Sequence, residues 1–276
     1  MQQTNISYTK RFKAARDFLF QRTEERADLV IILGSGLGRL LDEVEVIKSF
    51  PYADIPFFPI STVEGHSGEL VLGRFEERLV WFMNGRFHFY EGYDMDEVVF
   101  PLRVLNGLGV KNLVVTNAAG GLNPDFNAGD LMLIQDIINL FPGNPLRGQN
   151  HDELGPRFPD MSEPLDLEWS KKAKQHALRL KIELREGVYA GVPGPKLESK
   201  AEVKYLRILG ADAVGMSTVP EIIAAHHMSM SILAISVITN ESIPEVAKEF
   251  THNEVVKVAN LAGEKLVSLL KGVIWQ

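Results

Sequence analysis

Cysteine is absent from this sequence, and its absence excludes disulfide bonds, thiolate catalysis and zinc sites with Cys ligands. The sequence also has no excess of basic residues, and its formal net charge at pH 7 is −7. A protein of that charge is a poor partner for nucleic acid or for an anionic membrane surface. Any anionic ligand must therefore be bound by a local group of donors and not by the overall field.

Long hydrophobic runs are missing too. Residues 1–26 are polar and charged and contain no apolar core of a signal peptide, and no stretch of eighteen apolar residues occurs. We therefore expect a cytoplasmic protein with no membrane partner. Metal-binding patterns are absent as well, since there is no H-E-x-x-H and no pair of carboxylates at helical spacing near a His. The sequence predicts no metal site.

The residues that are present predict alternating strands and helices. The chain has 276 residues, of which 45% are hydrophobic, enough for one large α/β domain or two small ones. Apolar runs predict strands at 29–33, 113–116, 131–138, 187–192, 211–215 and 231–239, with a hairpin of 69–74 and 78–83. Helical spacing predicts helices at 7–23, 96–108, 167–182, 198–209 and 219–227, and a last one that a capping box opens at Thr251–Glu254. Irregular structure is expected at 42–67 and a long loop at 141–165. The expected fold is α/β, a single domain over residues 1–276, with a mixed, mostly parallel central sheet flanked by helices.

A glycine-rich loop follows the first strand. Five apolar residues, Leu29 to Leu33, lead into Gly34-Ser35-Gly36-Leu37-Gly38. Free N–H groups in such a turn form an anion site, to which Ser35 adds a hydroxyl. The dinucleotide fingerprint G-x-G-x-x-G fails because residue 39 is Arg, and no Gly-Lys-Ser/Thr of a P-loop is present. A phosphate loop and a tight turn without a ligand remain equal alternatives on this stretch alone.

Polar residues lie just past the ends of several predicted strands. In parallel α/β sheets, ligands bind at the edge formed by the carboxyl ends of the strands. A guanidinium, an imidazole and two hydroxyls at this edge would suit phosphate. Each residue alone also has a simpler interpretation as a solvated loop residue or a helix cap. The set that points to a ligand is Ser35, Arg86, His88, Asn117 with Ala118, Met216 with Ser217, and Asn240.

Five motifs in this order resemble those of one known family, the trimeric, low-molecular-mass purine nucleoside phosphorylases. The resemblance covers about residues 28–272. The motifs are Gly34-Ser35-Gly36-Leu37-Gly38, Glu64-Gly65-His66-Ser67-Gly68, Gly85-Arg86-Phe87-His88-Phe89-Tyr90-Glu91-Gly92, Thr116-Asn117-Ala118-Ala119-Gly120-Gly121 and Gly215-Met216-Ser217-Thr218-Val219-Pro220-Glu221.

The resemblance implies a role for each matching residue. It implies phosphate binding by Ser35, His66, Arg86, His88, Ala118 and Ser217, and ribose binding by Tyr90, Met216 and His252. It implies purine binding by Ala118, Tyr189, Leu197, Glu198 and Asn240, and catalytic roles for His88, Glu198, Asn240 and His252. Phe158 corresponds to an aromatic residue that reaches a neighbouring subunit's site. A homotrimer in purine salvage, with inorganic phosphate as co-substrate and no cofactor, is what the resemblance implies.

The implied reaction is reversible phosphorolysis of 6-oxopurine ribonucleosides and deoxyribonucleosides. The sequence departs from the family pattern at two places. Leu197 stands where the family often has an aromatic residue, and residues 241–250 match the family poorly. A methylthioadenosine phosphorylase on the same fold is one alternative, although that family favours Asp at position 240 and a small residue at 252, where this chain has Asn240 and His252. A non-catalytic nucleotide-binding protein is the other alternative.

Overall fold

A computed structural model describes residues 6–60, 67–242 and 252–274, without the side chains of residues 252 and 253. Six helices are present in this part of the chain: α1 (Tyr8–Phe20), α2 (Met95–Gly107), α3 (Leu167–Leu180), α4 (Lys200–Ile208), α5 (Val219–His227) and α6 (His252–Ile274). Nine strands accompany them: β1 (Leu29–Ile32), β2 (Val44–Pro51), β3 (Glu69–Phe75), β4 (Arg78–Asn84), β5 (Asn112–Gly121), β6 (Leu131–Asn139), β7 (Leu184–Gly191), β8 (Ala213–Gly215) and β9 (Ser231–Glu241). Short 3₁₀ turns occur at Gly38–Glu43, Tyr52–Asp54 and Phe89–Glu91.

The strands form one mixed sheet in the order β2-β3-β4-β1-β5-β8-β7-β6-β9, and β9 also pairs with β5. The pairs β1–β4, β1–β5, β5–β9, β6–β7 and β7–β8 are parallel. The pairs β2–β3, β3–β4, β5–β8 and β6–β9 are antiparallel. Because β9 returns to β5, the strands β5, β8, β7, β6 and β9 close into a small barrel. The predicted α/β fold with a mixed, mostly parallel sheet is confirmed.

Strand β5 is the branch point of the sheet. One of its edges pairs with β9 from Asn112 to Gly121. Its other edge pairs with β1 over Asn112–Val115 and with β8 at Gly120 and Gly121. Residues 116–119 therefore have no strand partner on that edge among the described residues. The sheet splits at this point, and the split leaves room for a site.

Apolar residues cover both faces of the sheet. In β1, Val30 and Ile32 point into the core under α1, α2 and α5, while Leu29 and Ile31 point into the core under α3 and α6. Strand side chains alternate between the two faces, so a strand covered on both must be apolar at every position. The uninterrupted apolar run that predicted β1 has this cause.

The prediction of irregular structure at 42–67 was wrong for part of that range. Strand β2, Val44–Pro51, pairs with β3 as an antiparallel edge strand. Its side chains are mostly exposed, and it contains Lys48 and Pro51, which are typical of a protected sheet edge. An exposed strand of this kind lacks the apolar run by which buried strands are predicted.

The prediction that two of the polar groups lie past the ends of their strands was also wrong. Asn117 and Ala118 lie inside β5, and Asn240 lies inside β9. Both strands continue beyond their apolar segments because they pair with each other up to Gly121 and Glu241.

The predicted start of one helix also needs correction. Helix α4 begins at Lys200 after a capping box of Ser199 and Glu202, so Glu198 precedes the helix.

Candidate active site

A cavity of about 420 Å³ opens where the sheet splits. Elements from both halves of the sheet contribute to its wall: the loop after β1, the segment after β4, β5, the turn between β8 and α5, β9, and the segment before α4. The sequence-predicted residues that line it are Ser35, Arg86, His88, Tyr90, Asn117, Ala118, Leu197, Glu198, Met216, Ser217 and Asn240. Residues distant in sequence thus meet in one site.

Arg86 is held from three directions at one end of the cavity. Its Nη1 donates to the Thr116 carbonyl and to Ser217 Oγ, each at 3.0 Å, and its Nη2 lies 3.1 Å from Glu221 Oε1. The guanidinium is a rigid planar fork that matches phosphate oxygens in pairs. Only 2% of the side chain is exposed, so its orientation is fixed before any ligand arrives.

The backbone of β5 directs a donor into the same end of the cavity. The Thr116 carbonyl faces Arg86 across the split edge of β5. Residues two apart in a strand direct their N–H and C=O groups to the same edge, so the Ala118 N–H also faces the split. The loop after β1 packs closely on this segment, because a Cβ at Gly34 would come within 2.7 Å of the Asn117 Cα. Ser35 and Ala118 both line the cavity as a result.

His88 is buried beside a carboxylate. Its Nδ1 lies 2.9 Å from Glu91 Oε1, and its ring stacks on Tyr90 with centroids 4.7 Å apart. Burial lowers the pKa of His88 below its usual value, and the hydrogen bond to Glu91 opposes that shift by raising the pKa. A carboxylate only accepts hydrogen bonds, so Nδ1 carries the hydrogen and Nε2 of the neutral ring can accept a proton.

A strained residue links these groups. Thr218 has φ of 72° at the N-cap of α5, a conformation that a β-branched residue rarely adopts. Its hydroxyl accepts from Asn117 Nδ2 at 2.9 Å and lies 3.3 Å from Arg86 Nη1. The strained turn thus places Ser217 and the first turn of α5 against the guanidinium.

The other end of the cavity has an amide and a carboxylate. Asn240 Nδ2 donates to Ser242 Oγ at 2.8 Å, and Thr239 Oγ1 donates to Asn240 Oδ1 at 3.0 Å. These two hydroxyls hold the amide plane, while its remaining hydrogen and lone pair are available to a ligand. Glu198 is partly buried, and burial raises the pKa of its carboxyl above the usual value.

Comparison with known proteins identifies the family of this fold and cavity. The model of the phosphorylase superfamily matches residues 28–274. A Bacillus subtilis protein named purine nucleoside phosphorylase 1 is 49% identical, over 96% of this chain and 98% of its own. The Bos taurus purine nucleoside phosphorylase is 48% identical, over 93% and 92%. The chain belongs to the purine nucleoside phosphorylase family.

Solved structures agree with that assignment. A Schistosoma mansoni purine nucleoside phosphorylase in complex with adenosine superposes with a TM-score of 0.90, at 39% identity and 95% coverage of both chains. Isoform 2 from the same organism, in complex with cytosine and ribose-1-phosphate, gives a TM-score of 0.91 at 42% identity, over 97% of this chain and 96% of that one. The activity of this chain is that of a purine nucleoside phosphorylase, which makes it a pentosyltransferase.

Four predicted residues of this phosphorylase are not seen on the cavity wall. Tyr189 is fully buried behind it, where a Cβ at Gly215 would come within 2.3 Å of the tyrosine hydroxyl. Phe158 is 87% exposed and lies beside a different cleft, formed partly by Asp136 and Met161. His66 and the side chain of His252 lie outside the described part of the chain.

Sequence reasoning missed several residues that support the site. Glu91 and Glu221 lie within the quoted motifs but were given no role, and Asn117 was noted only for its position. Glu91 contacts His88 and Glu221 contacts Arg86, at distances that the sequence does not contain. Asn117 lines the cavity itself and donates to Thr218. The only available signal was the unusual polarity of these short segments.

In the described residues, no helix is long and apolar enough to cross a membrane.

Proposed function

We propose that this enzyme prefers nucleosides of 6-oxopurines, namely inosine, guanosine and their 2′-deoxy forms. It transfers the pentose to inorganic phosphate, giving the free base and (deoxy)ribose 1-phosphate, and it also catalyses the reverse reaction. The observation that carries the proposal is a single cavity with a guanidinium at one end and a carboxylate with an amide at the other.

In this proposal, phosphate occupies the end formed by Ser35, Arg86, His88, Ser217 and the Ala118 N–H, with His66 beside it. Arg86 and the hydroxyls hold the anion so that one oxygen faces C1′ of the sugar. Phosphate is already an anionic nucleophile, so the reaction needs positioning more than activation. Neutral His88 can take a proton from bound phosphate through Nε2, and Glu91 stabilises the resulting imidazolium.

The sugar lies between the two ends of the cavity. Tyr90 and Met216, which line the cavity, are proposed to contact it, and His252 is proposed to hold the 5′-hydroxyl. As the bond between C1′ and N9 breaks, the sugar becomes oxocarbenium-like, as in glycoside hydrolysis. The phosphate anion beneath C1′ then stabilises the positive charge of the sugar while it attacks.

The purine is read by Glu198 and Asn240, with Leu197 and Ala118 beside the ring and Tyr189 behind the wall. A 6-oxopurine carries hydrogen on N1, from which the ionised Glu198 can accept. Asn240 can donate to O6 and accept from N7 when that atom is protonated. These bonds strengthen as the leaving base gains negative charge, so they stabilise the transition state more than the ground state.

We also propose a homotrimer in which Phe158 reaches the site of a neighbouring subunit. The exposure of this large aromatic side chain supports the proposal, because no residue in the described part of its own subunit buries it.

The deciding experiment is a substrate panel. Inosine, guanosine, 2′-deoxyinosine and adenosine are each incubated with and without inorganic phosphate, and free base and pentose 1-phosphate are quantified by chromatography. We expect cleavage only with phosphate, and faster cleavage of the three 6-oxopurine nucleosides than of adenosine. Equal rates for adenosine and inosine would reject the base preference, and cleavage without phosphate would reject phosphorolysis.

A further inference from the structure

The first turn of α5 places a carboxylate behind the phosphate end of the cavity. Glu221 is the third residue of α5, and only 5% of its side chain is exposed. Its Oε1 lies 3.1 Å from Arg86 Nη2, and its Oε2 has no hydrogen-bond partner among the described residues. A buried carboxylate is costly unless a charge of opposite sign compensates it. Arg86 supplies that charge in the structure.

The pair also has a geometric consequence. The Nη1 side of the guanidinium bonds to the Thr116 carbonyl, Ser217 and Thr218, while Glu221 fixes the Nη2 side. The contact from α5 adds a restraint on the Nη2 side to those that β5 and the turn before α5 place on the Nη1 side, which helps to hold the fork ready for an anion.

We propose that Glu221 is the positioning residue and counter-ion of Arg86, and that it limits phosphate affinity in exchange for a preorganised guanidinium. This inference rests on the proposed function, since it takes Arg86 to bind phosphate. Before phosphate arrives, the carboxylate compensates the buried positive charge. After phosphate arrives, the same carboxylate repels the anion across a short distance in a poorly solvated site.

Glu221→Gln separates the two roles, because the amide oxygen can keep the 3.1 Å contact with Nη2 while the charge is removed. We expect the KM for phosphate to fall by about tenfold, since one buried repulsion disappears, with the KM for inosine unchanged. We also expect a lower Tm without phosphate and a larger rise of Tm on adding phosphate than in the wild type. Glu186→Gln is the matched control, because Glu186 is exposed on β7 and carries the same charge. That control should match the wild type.

A stability comparison covers the case in which Glu221→Gln folds poorly. Arg86→Ala strands a buried carboxylate and should lower Tm strongly, whereas Arg86→Ala with Glu221→Gln should recover most of that loss. A double variant as unstable as Arg86→Ala would overturn the proposal. An unchanged phosphate KM in Glu221→Gln, or equal changes in both KM values, would overturn it as well.

The wild type separates this inference from the proposed function. If the wild type does not cleave inosine in a phosphate-dependent way, the proposed function fails, and the stability comparison still tests the ion pair. If the wild type does so but Glu221→Gln behaves like Glu186→Gln, only the inference about Glu221 fails.

Discussion

Replacing Asn240 by Asp exchanges one donor at the base end of the cavity for an acceptor that is charged when ionised, and it hardly changes the shape of the side chain. The two hydroxyls that hold the amide, on Thr239 and Ser242, can each donate to a carboxylate oxygen, so the side chain can keep its position. What the substitution removes is the N–H that we assign to the purine O6. An ionised Asp would instead direct an acceptor at that oxygen and suit the exocyclic amine of adenine.

The size of the effect follows from the burial of the site. Asn240 is 9% exposed, so a mispaired oxygen there cannot turn to water. Leaving such a group unsatisfied costs about 1–3 kcal/mol, which corresponds to a loss of about 5- to 150-fold in kcat/KM for inosine. Adenosine gains a partner for its amine while Glu198 still opposes its N1, so its kcat/KM changes less. The adenosine-to-inosine ratio should therefore rise by at least about fivefold.

The assay is kcat/KM for both nucleosides at saturating phosphate, in the wild type and in Asn240→Asp. Asn127→Asp is the matched control, because it makes the same chemical change at an exposed turn. Its ratio should equal that of the wild type. If Asn240→Asp leaves the ratio unchanged while the protein keeps its Tm, Asn240 does not read the base.

Three further predictions concern the other parts of the site. Arg86→Ala is made in the Glu221→Gln background, so that no carboxylate is left buried without its counter-ion. Relative to that background it should raise the KM for phosphate by about 10- to 150-fold, because charge-assisted bonds of about 1.5–3 kcal/mol are lost, and it should change the KM for inosine far less. Similar changes in both constants would contradict the assignment. Phe158→Ala should raise the KM for nucleoside without lowering Tm, whereas Leu178→Ala, another exposed apolar residue, should not; sedimentation of the wild type as an active monomer would refute the shared site. Burial raises the pKa of the Glu198 carboxyl above its ordinary value of 4.5, and only the ionised carboxylate can accept from N1–H. On acidification, kcat/KM for inosine should therefore begin to fall at a pH above 4.5. A profile that stays flat down to pH 4.5 would argue against this role.

Local sequence determined the elements whose residues carry a strong signal of their own. Strand β1 was predictable because both of its faces are covered, which makes every residue from Leu29 to Ile32 apolar. The hairpin of β3 and β4 was predictable from its apolar runs, and helix α6 from apolar residues at helical spacing on its one buried face. Strand β2 was not predictable, because an edge strand lies mostly in solvent and carries polar residues and Pro51.

The motifs likewise determined which residues line the cavity, but not how they act. Arg86 and Ser217 were predicted from residue type and resemblance. Their contact across 131 positions, and the carboxylate of Glu221 behind them, exist only because β8 runs antiparallel to β5 and brings the turn before α5 against the split edge of the sheet. Burial then decides the chemistry, since the pKa of His88 depends on how much water the folded chain excludes. A sequence specifies which groups are available, whereas distances and desolvation arise only when distant segments pack together.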